Sequence, residues 1–287
     1  MNDAATPAPA AETDTAPEKR KPKGSIWRFL VGLAIFAWVL RSFIVAPFVI
    51  PSGSMLPTML IGDYLFVAKW PYGYSRYSFP LGIPSFDGRV MESPPERGDV
   101  VVFRPPGNEE MDYVKRVIGL PGDRIEMRGG QLILNGEPVL KERIADFAMP
   151  VSPNSPCRVV GAATPRQDVD ADGDPICRYP AYRETLPGGR SYVTLDQTYI
   201  PPSDDYGPVT VPARHVFMMG DNRDDSLDSR YSPTNLSNPG VGFVPVENLV
   251  GRALGNFWST DGSASYVLPW TWFTAMRPGR IGVGYGG

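Results

Sequence analysis

Residues 99–136 read DVVVFRPPGNEEMDYVKRVIGLPGDRIEMRGGQLILNG, and their alternation of apolar runs with turn residues sets the fold class. Four short runs, 99–103, 113–118, 124–127 and 131–134, are separated by Pro-, Gly- and Asp-rich breaks. Apolar and β-branched runs of that length, bounded by turn residues, are strands. Asn135-Gly136 closes the last run as a type I′ hairpin turn, in which both central residues take positive φ. Working outward, 64–68, 215–219 and 249–258 carry the same pattern. No amphipathic helical pattern of useful length appears, and 30 Gly and 32 Pro in 287 residues favour short strands joined by turns. The expectation is an all-β domain over 47–287, with a loop-rich insertion at about 141–210.

Upstream of the strands the chemistry changes. Residues 26–46 are apolar apart from Arg28 near one end and Arg41 near the other. Helical at 1.5 Å per residue, such a run crosses a hydrocarbon core of about 30 Å. Arg28 can snorkel to the near headgroups and Arg41 toward the far ones. No small-x-small cleavage site follows, because the next residues are Pro47-Phe48-Val49-Ile50-Pro51, so the run reads as a retained anchor over 25–46 rather than a cleaved leader. A buried core helix is the poorer alternative, since the run has no polar face. Residues 1–24, rich in Pro, Ala and Thr, read as a disordered tail. Lys19, Arg20, Lys21, Lys23 and Arg28 crowd the N-terminal flank, and little basic charge follows the run before Lys69. The positive-inside rule then predicts a single-pass membrane protein, its N-terminus cytoplasmic and its large domain extracytoplasmic. In that oxidising setting Cys157 and Cys177, the only cysteines, are expected to form a disulfide.

Composition narrows the chemistry. A formal net charge of −3 with no basic stripe argues against a nucleic-acid partner. His215 is the only histidine, so a histidine-based metal site is disfavoured and a Ser-His mechanism would rest on this one residue. No metal or other cofactor is expected. Asp168, Asp170 and Asp172 lead towards a calcium loop, but its twelfth position is Tyr179 where a glutamate is needed.

Three segments carry reactive groups. In 50–58, IPSGSMLPT, two serines flank a glycine between prolines, which is either a plain linker or a stiff turn presenting hydroxyls. In 113–123, YVKRVIGLPGD, Lys115 lies inside an apolar strand. By period two it shares a face with Tyr113 and Val117, while Arg116 faces water. Burial of that amine lowers its pKa and lets it act as a base near neutral pH; an outward-facing edge lysine is the alternative. In 220–230, GDNRDDSLDSR, carboxylates, arginines and hydroxyls can satisfy one another around a site or form a solvated turn.

Together the motifs PSGSMLPT (51–58), RGDVVVF (97–103), YVKRVIGLPGD (113–123) and GDNRDDSLDSR (220–230), following an N-terminal anchor, resemble bacterial type I signal peptidase, the leader peptidase family of Ser-Lys proteases. The resemblance spans about 26 to 258 and is thinnest over 141–210. It implies a fold of antiparallel sheets and a membrane-bound endopeptidase that removes signal peptides from exported preproteins after Ala-x-Ala. It further implies Ser54 as nucleophile, Lys115 as general base, and an oxyanion hole of the Ser52 hydroxyl with the Ser54 N–H. Ser226 is expected to orient the lysine amine, with Asp228 and Arg230 in support. Phe48, Ile50, Met55, Met59, Tyr113 and Val114 would line the small substrate pockets. Signal-peptide-bearing preproteins and the lipid bilayer are the expected partners, and Trp258, Trp270, Trp272 and Phe273 are candidates for contact with headgroups. The segment 232–242 lengthens the chain after Arg230 and departs from the pattern. A dedicated Ser-Lys processing protease of narrow substrate and a non-catalytic, membrane-tethered assembly module are the rival readings.

Overall fold

The structure, a computed structural model, describes residues 25–161, 163–234, 239–265 and 267–285. The expected tail over 1–24 and its basic cluster lie outside the described residues. The chain divides into two units, one ending at Ala37 and the other running from Trp38 to Gly287. The described residues of the first unit, 25–37, are helical. Helix α1 (Ser25–Val39) exposes its large apolar side chains on every side, and with a π-turn at Leu40–Ile44 it gives an apolar helical stretch, Ile26–Ile44, long enough to cross a membrane. The helical run stops at Ile44, two residues short of the expected 46. Pro47 biases Ala46 toward extended backbone, so the chain leaves the helix as a strand before the proline is reached.

That strand, β1 (Val45–Val49), is followed by β2 (Asp63–Ala68), β3 (Val100–Phe103), β4 (Tyr113–Gly119), β5 (Arg124–Arg128), β6 (Gln131–Leu134), β7 (Glu137–Pro138), β8 (Leu140–Arg143), β9 (Phe147–Pro150), β10 (Arg166–Val169), β11 (Pro175–Tyr179), β12 (Ala181–Thr185), β13 (Ser191–Leu195), β14 (Tyr206–Thr210), β15 (His215–Met219), β16 (Val244–Pro245) and β17 (Leu249–Ser259). A seven-stranded sheet of order β1-β2-β17-β3-β4-β15-β16 holds the site, and every pairing in it is antiparallel. A four-stranded sheet, β14-β5-β6-β7, continues from β4, and the two positive φ angles of Asn135 and Gly136 close the β6–β7 hairpin as the type I′ turn requires.

The core is cut into clusters by the central strands. Val100 and Val102 pack with Met55, Met59, Leu65 and Val67, whereas Val101 and Phe103 pack with Tyr72, Val216 and Met218. Both faces of β3 are therefore covered, as is most of β4. For this reason Arg116, expected to face water, is buried: on a strand covered on both sides, period two does not separate core from solvent.

The stretch 141–210, expected to be loop-rich, carries two three-stranded sheets, β10-β11-β9 and β13-β12-β8, and β14. Its strands are short and weakly alternating, and pairing with one another stabilises them more than any local pattern announces. Cys157 and Cys177 are bridged across it with a Cα–Cα distance of 5.7 Å. In the segment after Arg230, Gly240 N donates to Ser232 O, which closes a loop whose residues 235–238 lie outside the described residues.

Candidate active site

The turn 50–62 between β1 and β2 is anchored at both ends. Ile50 N donates to Asp63 O and Gly62 N to Ile50 O, both at 2.9 Å. Met55, Leu56 and Met59 are buried beneath it, so the short segment 52–54 has little freedom to move. A second clamp comes from the loop after β15. Asn222 N donates to Ser54 O at 3.1 Å and its side-chain Nδ2 to Gly53 O at 3.2 Å.

Lys115, on the central strand β4, meets this turn. Its Nζ lies 2.6 Å from Ser54 Oγ and 3.1 Å from Val114 O, and the side chain is 4% exposed. Burial pushes the amine down from an ordinary 10.5 to about 8, against the opposing pull of the Asp228, Asp221 and Asp225 carboxylates. A lysine in this state offers a lone pair to a serine hydroxyl near neutral pH, which is what a serine nucleophile needs from its base. Ser226 is buried in the same cavity wall, with its hydroxyl unpartnered among the described residues. The structure thus places Ser226 beside the pair without the expected bond to the amine.

The polar loop behind the pair is a chain of buried ion pairs. Asp228 and Arg230 are paired twice at 2.9 Å, and Asp228 Oδ2 also accepts from Gly220 N at 3.0 Å. Burial alone would push the Asp228 carboxyl up, but the Arg230 guanidinium holds it below its ordinary value. Arg116 grips Asp221 with Nε–Oδ1 at 2.8 Å and Nη2–Oδ2 at 2.6 Å. Arg223 grips Glu184 of β12 at 2.7 and 2.5 Å, and Tyr192 of β13 donates to the same carboxylate at 2.9 Å. Arg116, Asp221, Asn222, Arg223, Glu184 and Tyr192 were missed from the sequence. The first four lie inside quoted motifs, which marks them as polar groups near the site but not their partners: Arg116 and Asp221 are 105 residues apart, Asn222 is a neutral amide, and Arg223 pairs with Glu184. Glu184 and Tyr192 come from the insertion, where no local signal marks them.

Gly220 is required where the loop meets the turn. A Cβ there would lie 2.3 Å from Ser226 Oγ and 2.5 Å from Ser54 O. Gly220→Ala must therefore displace the serine backbone, and misplacement of a reacting group by about 1 Å can cost on the order of 10²-fold in rate. A fall of that size in kcat/KM, with an unchanged circular dichroism spectrum, is expected; full activity would show that the turn tolerates movement.

Ser54 and Lys115 open onto a groove of about 470 Å³ bordered by Phe48, Ile50, Ser52, Tyr113, Val114 and Ser226. Met55 and Met59, expected among its pocket residues, are instead fully buried in the core below it. The far rim is formed by Arg158, bonded to Asp225 with Nη2–Oδ1 at 2.9 Å and positioned by the neighbouring Cys157–Cys177 bridge. A larger cavity of about 580 Å³ beyond Arg116 includes neither Ser54 nor Lys115 in its lining. His215 opens β15 with its Nδ1 2.9 Å from Ala213 O and is absent from the groove lining.

The family model for signal peptidase, peptidase S26, matches residues 24–258. Signal peptidase I of Rickettsia canadensis is 34% identical over 257 residues, covering 87% of this chain and 85% of its own length. Signal peptidase I of Rickettsia prowazekii is 37% identical over 232 residues, covering 78% and 76%. The crystal structure of a signal peptidase I from Enterococcus faecalis matches 56% of this chain and 97% of its own, with 23% identity and a TM-score of 0.28.

Proposed function

The chain belongs to the signal peptidase family, peptidase S26, and on that footing we propose that it cleaves signal peptides from exported preproteins with Ser54 as nucleophile and Lys115 as general base. The observation that carries the assignment is the 2.6 Å approach of a buried amine to the Ser54 hydroxyl at the floor of a groove. Ser54 Oγ attacks the scissile carbonyl carbon as its proton passes to Lys115 Nζ. The resulting ammonium protonates the leaving amine, and the neutral amine then takes a proton from the water that hydrolyses the acyl-enzyme. The exposed Ser52 hydroxyl and the Ser54 N–H lie on the turn that would face the developing oxyanion, a pairing worth about 3–4 kcal/mol per donor in other serine proteases.

Substrate enters as an extended strand. The groove runs between β1 and the start of β4, so main-chain bonds along these edges supply affinity while the pocket beside Phe48, Ile50 and Val114 admits only small side chains, as an Ala-x-Ala sequence has. Ser54 follows Ile44, the last residue of the apolar helical stretch, by only ten residues, which favours cleavage where a signal peptide's own apolar segment ends. In this reading the anchor spans the inner membrane once, with the basic flank cytoplasmic and the catalytic domain outside. Exposed Trp270 and Phe273 at the short helix α2 (Thr271–Thr274), and the stacked Phe66–Phe257 pair with ring centroids 4.3 Å apart, suit contact with the headgroup zone.

The test is cleavage of signal-peptide-bearing precursors in detergent by wild type, Ser54→Ala and Lys115→Ala, with a broad panel of different preproteins that all carry Ala-x-Ala. Both variants are expected to leave the precursors intact. Processing by folded Ser54→Ala would overturn the nucleophile assignment, and processing of one precursor alone would point to a dedicated protease.

A further inference from the structure

A second cavity, of about 200 Å³, adjoins the catalytic groove and shares Phe48 and Asp112 with its lining. Its lining includes Arg41, Lys69, Arg104, Asp112, Tyr77 and Leu81. Lys69 is the unusual member. Its side chain is nine-tenths or more buried, at 4% residue exposure, yet among the described residues its Nζ makes no hydrogen bond and has no carboxylate within 4 Å. The ammonium sits 5.7 Å from the centroid of the Phe48 ring and otherwise faces the cavity. Asp112, the one carboxylate among these lining residues, is held by Arg104 with Nε–Oδ1 at 2.6 Å and also pulls on Lys69, so one negative charge faces the three cations Arg41, Lys69 and Arg104 and the lining is net positive. A buried ammonium without a partner is costly, so a site of this kind is complete only with an anion in it.

The position of the cavity identifies the anion. Lys69 N donates to Ile44 O at 3.0 Å, and Ile44 is the last residue of the apolar helical stretch, on whose final turn Arg41 sits. Phe43 and Phe79 pack edge to face nearby at 5.4 Å, and Leu81 at the cavity mouth is 95% exposed. Cationic depth with an apolar, exposed rim at the end of a membrane-crossing segment matches a lipid phosphate with its acyl chains outside, rather than a soluble ion. Its volume of about 200 Å³, equivalent to about seven waters at roughly 30 Å³ each, accommodates a phosphate and the adjoining glycerol carbons. We propose that Lys69 and Arg41 bind the phosphate of an anionic phospholipid and so fix the domain against the bilayer beside the substrate groove. Burial lowers the Lys69 amine to about 8, and a neighbouring phosphate would hold it charged at neutral pH.

The proposal rests on the membrane placement above but not on the catalytic assignment, so its test is read by binding. Full-length protein in detergent micelles is mixed with dioleoylphosphatidylglycerol or dioleoylphosphatidylcholine, and bound lipid is counted by native mass spectrometry. Wild type and Ser54→Ala are both expected to hold one phosphatidylglycerol at least tenfold tighter than phosphatidylcholine. Lys69→Met and Arg41→Gln should each lose about tenfold of that affinity while cleaving a short peptide in lipid-free detergent at the wild-type rate. The exposed Arg41 supplies a variant with no folding cost should Lys69→Met be unstable. Equal retention by all variants would overturn the site, and displacement by equimolar inorganic phosphate would make it a phosphate site instead. If Lys69→Met slows the short peptide in lipid-free detergent, the cavity belongs to the peptide substrate and the lipid assignment fails.

Discussion

Lys115→Met is expected to abolish precursor cleavage, by about 10⁴-fold or more, while the melting temperature stays level or rises. The first half follows from the chemistry: without a base within hydrogen-bond reach, a serine hydroxyl is a poor nucleophile, and deleting one member of such a pair removes most of the catalysis the pair provides. The second half follows from linkage. The amine titrates at about 8 in the fold and at an ordinary 10.5 in the unfolded chain, a difference of about 3 kcal/mol. Below about pH 8 the folded state must hold an ammonium in a buried site, so the full cost is present there; it declines between 8 and 10.5 and vanishes above. Methionine fills the same space without that cost, so the stability gain should be largest at neutral pH and disappear by about pH 11. For the wild type, kcat/KM should climb with pH and level off above about 8. A large loss of stability in Lys115→Met at pH 7, or a flat pH–rate profile, would mean that Lys115 is a structural cation.

The parts of this site that were legible in the sequence are those whose signal is local. The strands 131–134 and 215–219 appear at the expected residues, because apolar β-branched runs between turn residues need no partner to be recognised. Lys115 stood out because an amine inside an apolar strand is anomalous in itself. Arg116 beside it was misplaced: it too is buried, and only the fold brings Asp221 to it from 105 residues away. Glu184 and Tyr192 were invisible for the same reason. Their role comes from the β12–β13 hairpin packing behind the 220–230 loop, and nothing in the sequence around residues 184 and 192 announces an arginine partner. Met55 and Met59 show the opposite error. The motif that holds the serine also holds the side chains that fix it from below, and only burial distinguishes a pocket wall from the core supporting it.

Arg230→Met should be the most destabilising change near the site, costing about 3–5 kcal/mol at neutral pH. Both partners of the Asp228–Arg230 pair are fully buried, and removing one of them leaves an uncompensated charge in the core. For a domain of this size that amounts to a fall in melting temperature on the order of 10 °C. The pH dependence has a definite sign. In the wild type the Asp228 carboxyl is held below its ordinary 3.8, so the pair contributes stability above that value and loses it as the pH falls through the lowered one. In the variant the same carboxylate has lost its guanidinium, and burial then raises its pKa. The variant therefore recovers stability as the pH falls from neutral toward 4, whereas the wild type does not. Adding Asp228→Asn removes the charge while keeping an oxygen for Gly220 N, so the double variant should regain much of the loss. Cleavage should fall in both, because Arg230 also donates to Arg223 O at 2.5 Å and Asp228 holds the residue on which the Ser54 turn rests. Melting curves of the wild type and the two variants at pH 5 and pH 7 decide it. An Arg230→Met protein as stable as wild type at pH 7 would show that water reaches Asp228, and that the loop holds Ser54 through Asn222 alone.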